Sequence, residues 1–192
     1  MDNKPLDILI LAAGLGTRMR SDIAKVLHRL DGRPLINHVC RTAAALAPRK
    51  VYVVVGHQGD DVRQAVLEEL EEEHVEFVWQ NEQLRTGEAV NSARDHLEGA
   101  GSELLVLSGD VPMIRAETLA GLVRQHQSHR GKGAACTLVS VELSEPKGYG
   151  RVIRDSAGLF EKIVEQKDSS DVELNVREIN AGIYCFDTGE LF

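Results

Sequence analysis

The chain has no surplus of basic residues. Its 22 Lys and Arg stand against 30 Asp and Glu, a formal charge of −8. Nucleic-acid backbones are held by surplus Lys and Arg, so this balance excludes a general nucleic-acid binder. Cysteine pairs are missing as well. The three cysteines, Cys40, Cys136 and Cys185, lie far apart, so no Cys-x-x-Cys metal or redox site exists. Each sits in an apolar run, which predicts buried, reduced thiols in a cytoplasmic protein. No apolar stretch approaches the roughly 20 residues of a membrane helix. The first apolar run, Leu6 to Ala13, carries Asp7, has little positive charge before it beyond Lys4, and leads into Gly14-Leu15-Gly16-Thr17-Arg18. That is a strand followed by a loop, not an export signal. No repeat or low-complexity linker divides the chain, and no Ser/His/Asp or Cys/His set can be assembled from order alone. The seven histidines form no metal-ligand pattern; His126 and His129, near the end of a predicted helix, read as solvent-exposed.

What is present is an ordinary soluble balance: 192 residues, 43% hydrophobic and 27% charged. The length predicts one domain, able to bury about 70% of its unfolded surface without a disulfide or a metal. Leu6–Ala12, Val51–Val55, Val75–Trp79 and Leu104–Leu107 are short, mostly non-alternating apolar runs, as in strands buried on both faces. Between them lie helical patterns over Leu35–Leu46 (with Pro34 as a first-turn proline), Asp60–Glu73, Thr86–Leu97 and Arg115–His126. The glutamate-rich end of the second, Glu68–Glu73, reads as a solvated helix face. Alternation of this kind predicts an α/β fold with a parallel sheet and right-handed crossovers. After Gly133 the texture changes. Ala134–Leu143, Gly150–Arg154, Leu159–Gln166 and Ile179–Phe186 predict mixed or antiparallel strands added to the parallel core. Asp187-Thr188-Gly189-Glu190-Leu191-Phe192 reads as a cap and the first turn of a helix, so the chain reads as a piece of a longer protein.

The strongest local signal is Leu11-Ala12-Ala13-Gly14-Leu15-Gly16-Thr17-Arg18-Met19, followed by Lys25. It begins where open parallel sheets place ligands, at the end of the first strand. Gly14 and Gly16 allow a sharp turn that presents N–H groups to anionic oxygens. Arg18 supplies a guanidinium fork and Lys25 a point charge. The dinucleotide fingerprint is excluded, since Met19 stands where its third glycine belongs, and no Gly-Lys-Ser/Thr of a Walker loop follows. Glycines alone would suit a plain flexible loop; the added basic pair favours a phosphate site. The second signal is Leu107-Ser108-Gly109-Asp110-Val111-Pro112. By itself Asp110 reads equally well as the start of a turn before Pro112. Mg²⁺ takes one or two protein carboxylates plus substrate phosphates, so beside a phosphate loop the metal reading gains. A third cluster, Gln80-Asn81-Glu82-Gln83-Leu84-Arg85-Thr86-Gly87, offers carboxamides that match the imide edge of a pyrimidine.

Taken together these segments resemble the sugar-nucleotide pyrophosphorylases, and within them the uridylyltransferase domains of bifunctional bacterial enzymes that make UDP-N-acetylglucosamine. The resemblance runs through Leu11–Met19 with Lys25-Val26-Leu27-His28, Val54-Val55-Gly56-His57, the Gln80–Gly87 cluster, Gly109-Asp110-Val111-Pro112, Gly148-Tyr149-Gly150-Arg151, Ile163-Val164-Glu165-Gln166-Lys167-Asp168 and Glu178-Ile179-Asn180-Ala181-Gly182. The last three, in this order, are the most specific. The resemblance implies a Rossmann-like nucleotide-diphospho-sugar transferase fold: a mixed, mainly parallel central sheet flanked by helices, with an added strand-rich, sugar-binding half. It implies that Leu11, Ala12, Ala13 and Gly14 contact the nucleotide, that Arg18 and Lys25 hold the triphosphate, and that Gln80 and Thr86 read uracil. Arg85, Ser108 and Gly109 fall among the other substrate-contacting positions. Asp110 would bind Mg²⁺, and Gly150, Glu165 and Asn180 would hold N-acetylglucosamine. The implied reaction joins UTP and N-acetylglucosamine 1-phosphate into UDP-N-acetylglucosamine and pyrophosphate, in the cytoplasm, for peptidoglycan and lipopolysaccharide precursors. A full-length member would be a homo-oligomer, with no nucleic-acid or membrane partner.

The chain departs from the family pattern at three places. The family usually reads Gly-Thr-Gly-His where this chain has Arg85-Thr86-Gly87-Glu88. Ser108 stands where an aromatic or small residue is common. The family's second metal ligand, an asparagine, would lie beyond residue 192, as would the dimerising remainder and a β-helix acetyltransferase domain. Two alternatives follow: a sibling nucleotidyltransferase with another base or sugar, supported by Arg85, and a nucleotide-sugar binding module without turnover.

Overall fold

Ile8, Leu9 and Ile10 are consecutive residues of one strand, and all three are fully buried. Successive strand side chains point to opposite faces, so this strand is covered on both sides. The computed structural model describes residues 4–14, 16, 21–80 and 86–192. Its elements run in chain order as β1 (Leu6–Leu11), β2 (Arg29–Leu30), β3 (Arg33–Pro34), α1 (Leu35–Ala44), β4 (Lys50–Val55), α2 (Gly59–Leu67), β5 (Val75–Trp79), α3 (Thr86–Asn91), α4 (Arg94–Leu97), β6 (Glu103–Ser108), α5 (Ala116–Arg130), β7 (Cys136–Glu142), β8 (Arg151–Arg154), β9 (Phe160–Val164), α6 (Asp171–Leu174), β10 (Glu178–Asp187) and α7 (Thr188–Leu191). They form two compact units, Met1–Thr137 with Tyr184–Phe192, and Leu138–Ile183.

The first unit carries the parallel sheet, in the order β5-β4-β1-β6. Ile8 pairs in register with Val51 of β4 on one side and Leu105 of β6 on the other. The last residues of β10 then run antiparallel to β6, Tyr184 opposite Val106 and Asp187 opposite Glu103. The chain leaves β1 for β4 and β5 on one side and returns to β6 on the other, so the strand order reverses between β1 and β6. Open α/β sheets bind ligands at such a switch point, outside the carboxyl ends of the strands. One face packs Leu9, Tyr52, Val54, Val78, Leu104 and Val106 against Ala89, Ala93 and Leu97. Fully burying a Leu, Ile or Val side chain contributes about 1.5–3 kcal/mol, which is why the fold stands without a disulfide. Among the described residues no helix is long and apolar enough to cross a membrane.

The second unit is the strand-rich one. β8 and β9 pair antiparallel, Val152 opposite Ile163, with an irregularity at Ile153/Arg154. Ile179 of β10 pairs antiparallel with Arg151 of β8. Ser170 caps α6 in a capping box with Glu173.

Several expectations need correction. The helix expected over Asp60–Glu73 stops at Leu67. Continuing it would stack Glu68 over Glu72 and Glu69 over Glu73, and like charges at i and i+4 destabilise a helix. Glu69 instead pairs with Arg33 at 2.9 Å, and Leu70 is buried. The helix expected over Thr86–Leu97 is broken into α3 and α4, where the Ser92 hydroxyl donates to the Ala89 carbonyl at 2.7 Å and loosens the ladder. Cys40 and Cys185 are buried as expected, but Cys136 is exposed at the start of β7. Burial pushes the Cys40 thiol up to about 12 and keeps it protonated. His126 is fully buried rather than exposed, because it stands on the same face of α5 as Leu119, Leu122 and Val123. The cap and helical turn read at the C-terminus are present: the Asp187 carboxylate accepts from the Gly189 N–H at 3.0 Å to open α7.

Candidate functional site

The carboxyl ends of β1 and β6 lie side by side, Leu11 opposite Ser108. The Gly109 N–H donates to the Leu11 carbonyl at 2.9 Å, and the Ala12 N–H donates to the Val54 carbonyl at 2.9 Å. Ala12 and Ala13 are buried and Gly14 is exposed, so the chain emerges to solvent at Gly14. Gly16 has φ +60°, and a Cβ there would lie 2.7 Å from the Lys25 Cβ. Only glycine allows both the left-handed backbone and this close passage. Lys25 begins a 3-10 turn, Lys25–Leu27, placed directly against Gly16.

The Lys25 ammonium forms an ion pair with the Asp110 carboxylate, and the Ser108 hydroxyl donates to the other oxygen of the same carboxylate. Burial by itself would raise the pKa of Asp110. The hydrogen bonds from Lys25 and Ser108 outweigh burial, and its carboxyl stays below the usual carboxylate range. The sequence assigns Lys25 to phosphate and Asp110 to a metal; the structure brings the two into contact. Gln80 follows β5 at the same end of the sheet, its N–H donating to the Val55 carbonyl at 2.8 Å. Arg18 and Arg85 lie outside the described residues, and Thr86 is the first residue of α3.

One residue near the loop carries no motif in the sequence. Gln58 has φ +58°, a conformation that side chains rarely adopt. Its side-chain carbonyl accepts from the Ala24 N–H at 2.5 Å, and its amide donates to the Asp22 carbonyl at 2.9 Å.

In the second unit the three residues expected at the sugar come together. Gly150 is buried, and its carbonyl accepts from the Asn180 N–H at 2.9 Å. A Cβ on Gly150 would lie 3.2 Å from Glu165 Oε1, so the absent side chain leaves room for that carboxylate. The Asn180 side-chain Oδ1 accepts from the Gly182 N–H at 3.0 Å. Arg151 is almost fully buried and donates to the Tyr149 carbonyl, which pins the turn before Gly150.

Comparison with known proteins follows the same lines. Residues 8–168 match the MobA-like NTP transferase domain. The chain is 46% identical over 183 residues to the bifunctional protein GlmU of Anaeromyxobacter dehalogenans (strain 2CP-C), covering 95% of this chain and 37% of that protein. It is 46% identical over 184 residues to the bifunctional protein GlmU of Streptococcus suis (strain 98HAH33), covering 96% of this chain and 38% of that protein. The chain therefore spans less than two-fifths of the length of these relatives. The crystal structure of HddC from Yersinia pseudotuberculosis superposes with a TM-score of 0.69 at 21% identity, over 95% of this chain and 76% of that one. At that identity the likeness is one of fold.

Proposed function

The chain belongs to the MobA-like NTP transferase family and within it to the GlmU group, and on that premise we propose that it is a sugar-1-phosphate nucleotidyltransferase domain acting on UTP and N-acetylglucosamine 1-phosphate. The observation that carries the reading is the Lys25–Asp110 ion pair beside Gly16, at the switch point between β1 and β6. A phosphate loop, a cation and a carboxylate in one place are what nucleotidyl transfer needs.

The sugar phosphate is already an anion at neutral pH, so its oxygen needs no general base. That oxygen would form a bond to the α-phosphorus of UTP while the α–β bridging bond breaks and pyrophosphate leaves. The obstacle is repulsion between two anions, so positioning and positive charge carry the catalysis. Lys25 and Arg18 would hold the triphosphate. Leu11, Ala12, Ala13 and Gly14 would line the nucleoside, with Gln80, Arg85 and Thr86 at uracil and Ser108 and Gly109 beside the phosphates. Asp110 suits Mg²⁺: it is a hard oxygen donor, held ionised, at the edge of a phosphate site. When bound, the ion would offset phosphate charge. Gly150, Glu165 and Asn180 would recognise the sugar. The setting would be cytoplasmic synthesis of peptidoglycan and lipopolysaccharide precursors, with the full-length protein a homo-oligomer.

The test is calorimetric titration of the 192-residue chain with UDP-N-acetylglucosamine in Mg²⁺, with dTDP-glucose alongside. Preference for the uridine sugar is the expected result. Preference for dTDP-glucose would replace this reading with a sibling specificity, for which Arg85 is the residue to revert to glycine. Binding of neither would overturn it.

A further inference from the structure

The turn Gly56-His57-Gln58 between β4 and α2, with Gly59 opening α2, lies against the glycine-rich segment on both of its flanks. Before the loop, a Cβ on Gly56 would lie 3.2 Å from both the Cβ and the carbonyl oxygen of Ala13. After the loop, Gln58 holds two backbone groups of the segment that leads into Lys25: the Ala24 N–H and the Asp22 carbonyl. A methyl group on Gly59 would collide with the ring of Trp79, the residue before Gln80. One short turn thus bears on the entry to the loop, on its exit and on the end of β5.

Gln58 is the unexpected member. It occupies a left-handed conformation in which glycine is the natural choice and a long side chain is strained. It also opens α2 without capping it: its side chain makes no cap hydrogen bond and reaches away to residues 22 and 24. A strained residue whose side chain spends both its polar ends on one distant segment is placed for that segment.

We propose that Gln58 is a positioning residue for the phosphate site, a clamp that fixes Asp22–Ala24 and so sets where Lys25 leaves the chain. The proposal rests on the assignment of Lys25 to the substrate phosphates. Gln58 need not touch substrate. Its acceptor and donor fix both backbone directions of the segment, which a single contact would not do.

Replacing Gln58 by glycine separates the two roles a left-handed residue can have. Gln58→Gly removes the clamp and relieves the backbone, so the melting temperature should hold or rise. Affinity for magnesium-UTP should nevertheless fall about tenfold, the worth of one or two net hydrogen bonds. Trp79, the one tryptophan of the chain, lies half-exposed beside Gln80 and gives the fluorescence signal for the titration. Gln58→Glu keeps an acceptor for the Ala24 N–H but turns a negative charge toward the Asp22 carbonyl and the phosphates, so its affinity should fall at least as far as that of Gln58→Gly. Amide exchange at Ala24 should speed up in Gln58→Gly without nucleotide. Wild-type affinity in a folded Gln58→Gly would overturn the clamp and leave the functional reading standing. Failure of the unaltered chain to bind magnesium-UTP would overturn the functional reading, and the positioning role with it.

Discussion

Lys25 and Asp110 neutralise each other across the gap between the 3-10 turn after the glycine loop and the loop after β6. Each is the partner the other needs before substrate arrives, and each has a different partner in the proposed complex. The pair keeps the site nearly neutral while leaving both charges close to solvent, since the Lys25 side chain is 42% exposed and that of Asp110 19%.

This pairing makes the effect of Asp110→Asn depend on magnesium. With Mg²⁺, loss of the carboxylate should weaken UTP binding about ten- to a hundredfold, as for a lost contact between charged groups. With the metal chelated, the same substitution frees Lys25 for the phosphates, and UTP should bind more tightly than to the unaltered chain. Titrations with Mg²⁺ and with EDTA check both signs. Asp110 is held ionised below its usual range, so its contribution to stability is present above the ordinary carboxylate pKa of 3.8 and is lost only as pH falls through the lowered folded value. Magnesium-dependent binding should therefore persist into mildly acidic buffer.

Gly14 and Gly16 should respond differently to alanine. At Gly16 the left-handed backbone and the nearby Lys25 both resist a side chain. Gly16→Ala should lower stability by about 1–2 kcal/mol, the cost of a left-handed residue, and weaken nucleotide binding by displacing Lys25. At Gly14 nothing lies within 4 Å of an added Cβ. Gly14→Ala should leave the melting temperature unchanged while obstructing the nucleoside. Thermal melts paired with UTP titration separate the two outcomes.

The strands were legible because burial on both faces leaves a mark in composition: Ile8-Leu9-Ile10 and Leu104-Leu105-Val106-Leu107 leave no room for polar residues. The position of the candidate residues at one edge of the sheet was legible for the same reason, since Gly14 and Asp110 each follow such a run. Helix ends were less so. Nothing local in Ser92 distinguishes a break from a continuing turn, and the repulsion within Glu68–Glu73 competes with an amphipathic pattern that favours helix. His126 was misread although the signal was there. Leu119, Leu122, Val123 and His126 follow the i, i+3, i+4, i+7 spacing of one buried helix face. The Lys25–Asp110 contact needed the adjacency of β1 and β6, and the Gln58 clamp needed a backbone angle; neither has a sequence signature.

His126 makes stability depend on pH. Its Nδ1 lies 3.0 Å from the Thr137 hydroxyl, while its Nε2 is buried with no hydrogen-bond partner among the described residues. Burial lowers its pKa below the usual 6.5, against the opposing pull of Glu103 and Asp187, with Arg130 and Lys4 adding to the lowering. The unfolded chain therefore binds a proton that the folded one refuses. Stability contributed by neutral His126 is full above 6.5 and declines as pH falls from there toward the lowered folded value. Urea denaturation at a series of pH values should show this slope, and His126→Phe should flatten it.

Gly150→Ala should divide sugar recognition from nucleotide recognition. The added methyl would stand 3.2 Å from Glu165 Oε1 and 3.3 Å from the Ile163 side chain. Those distances are tighter than ordinary contact, so the carboxylate must shift from its place above Gly150. Asn180 would feel the change through its N–H, which the Gly150 carbonyl holds. If these residues recognise the sugar, affinity for UDP-N-acetylglucosamine should fall about tenfold toward that of UDP, one lost hydrogen bond's worth. Affinity for UTP should stay unchanged, because Gly150 belongs to the second unit and the nucleotide residues to the first. An equal loss for UDP and UDP-N-acetylglucosamine would instead show that the substitution damages nucleotide binding, and would withdraw the sugar role from Gly150 and Glu165.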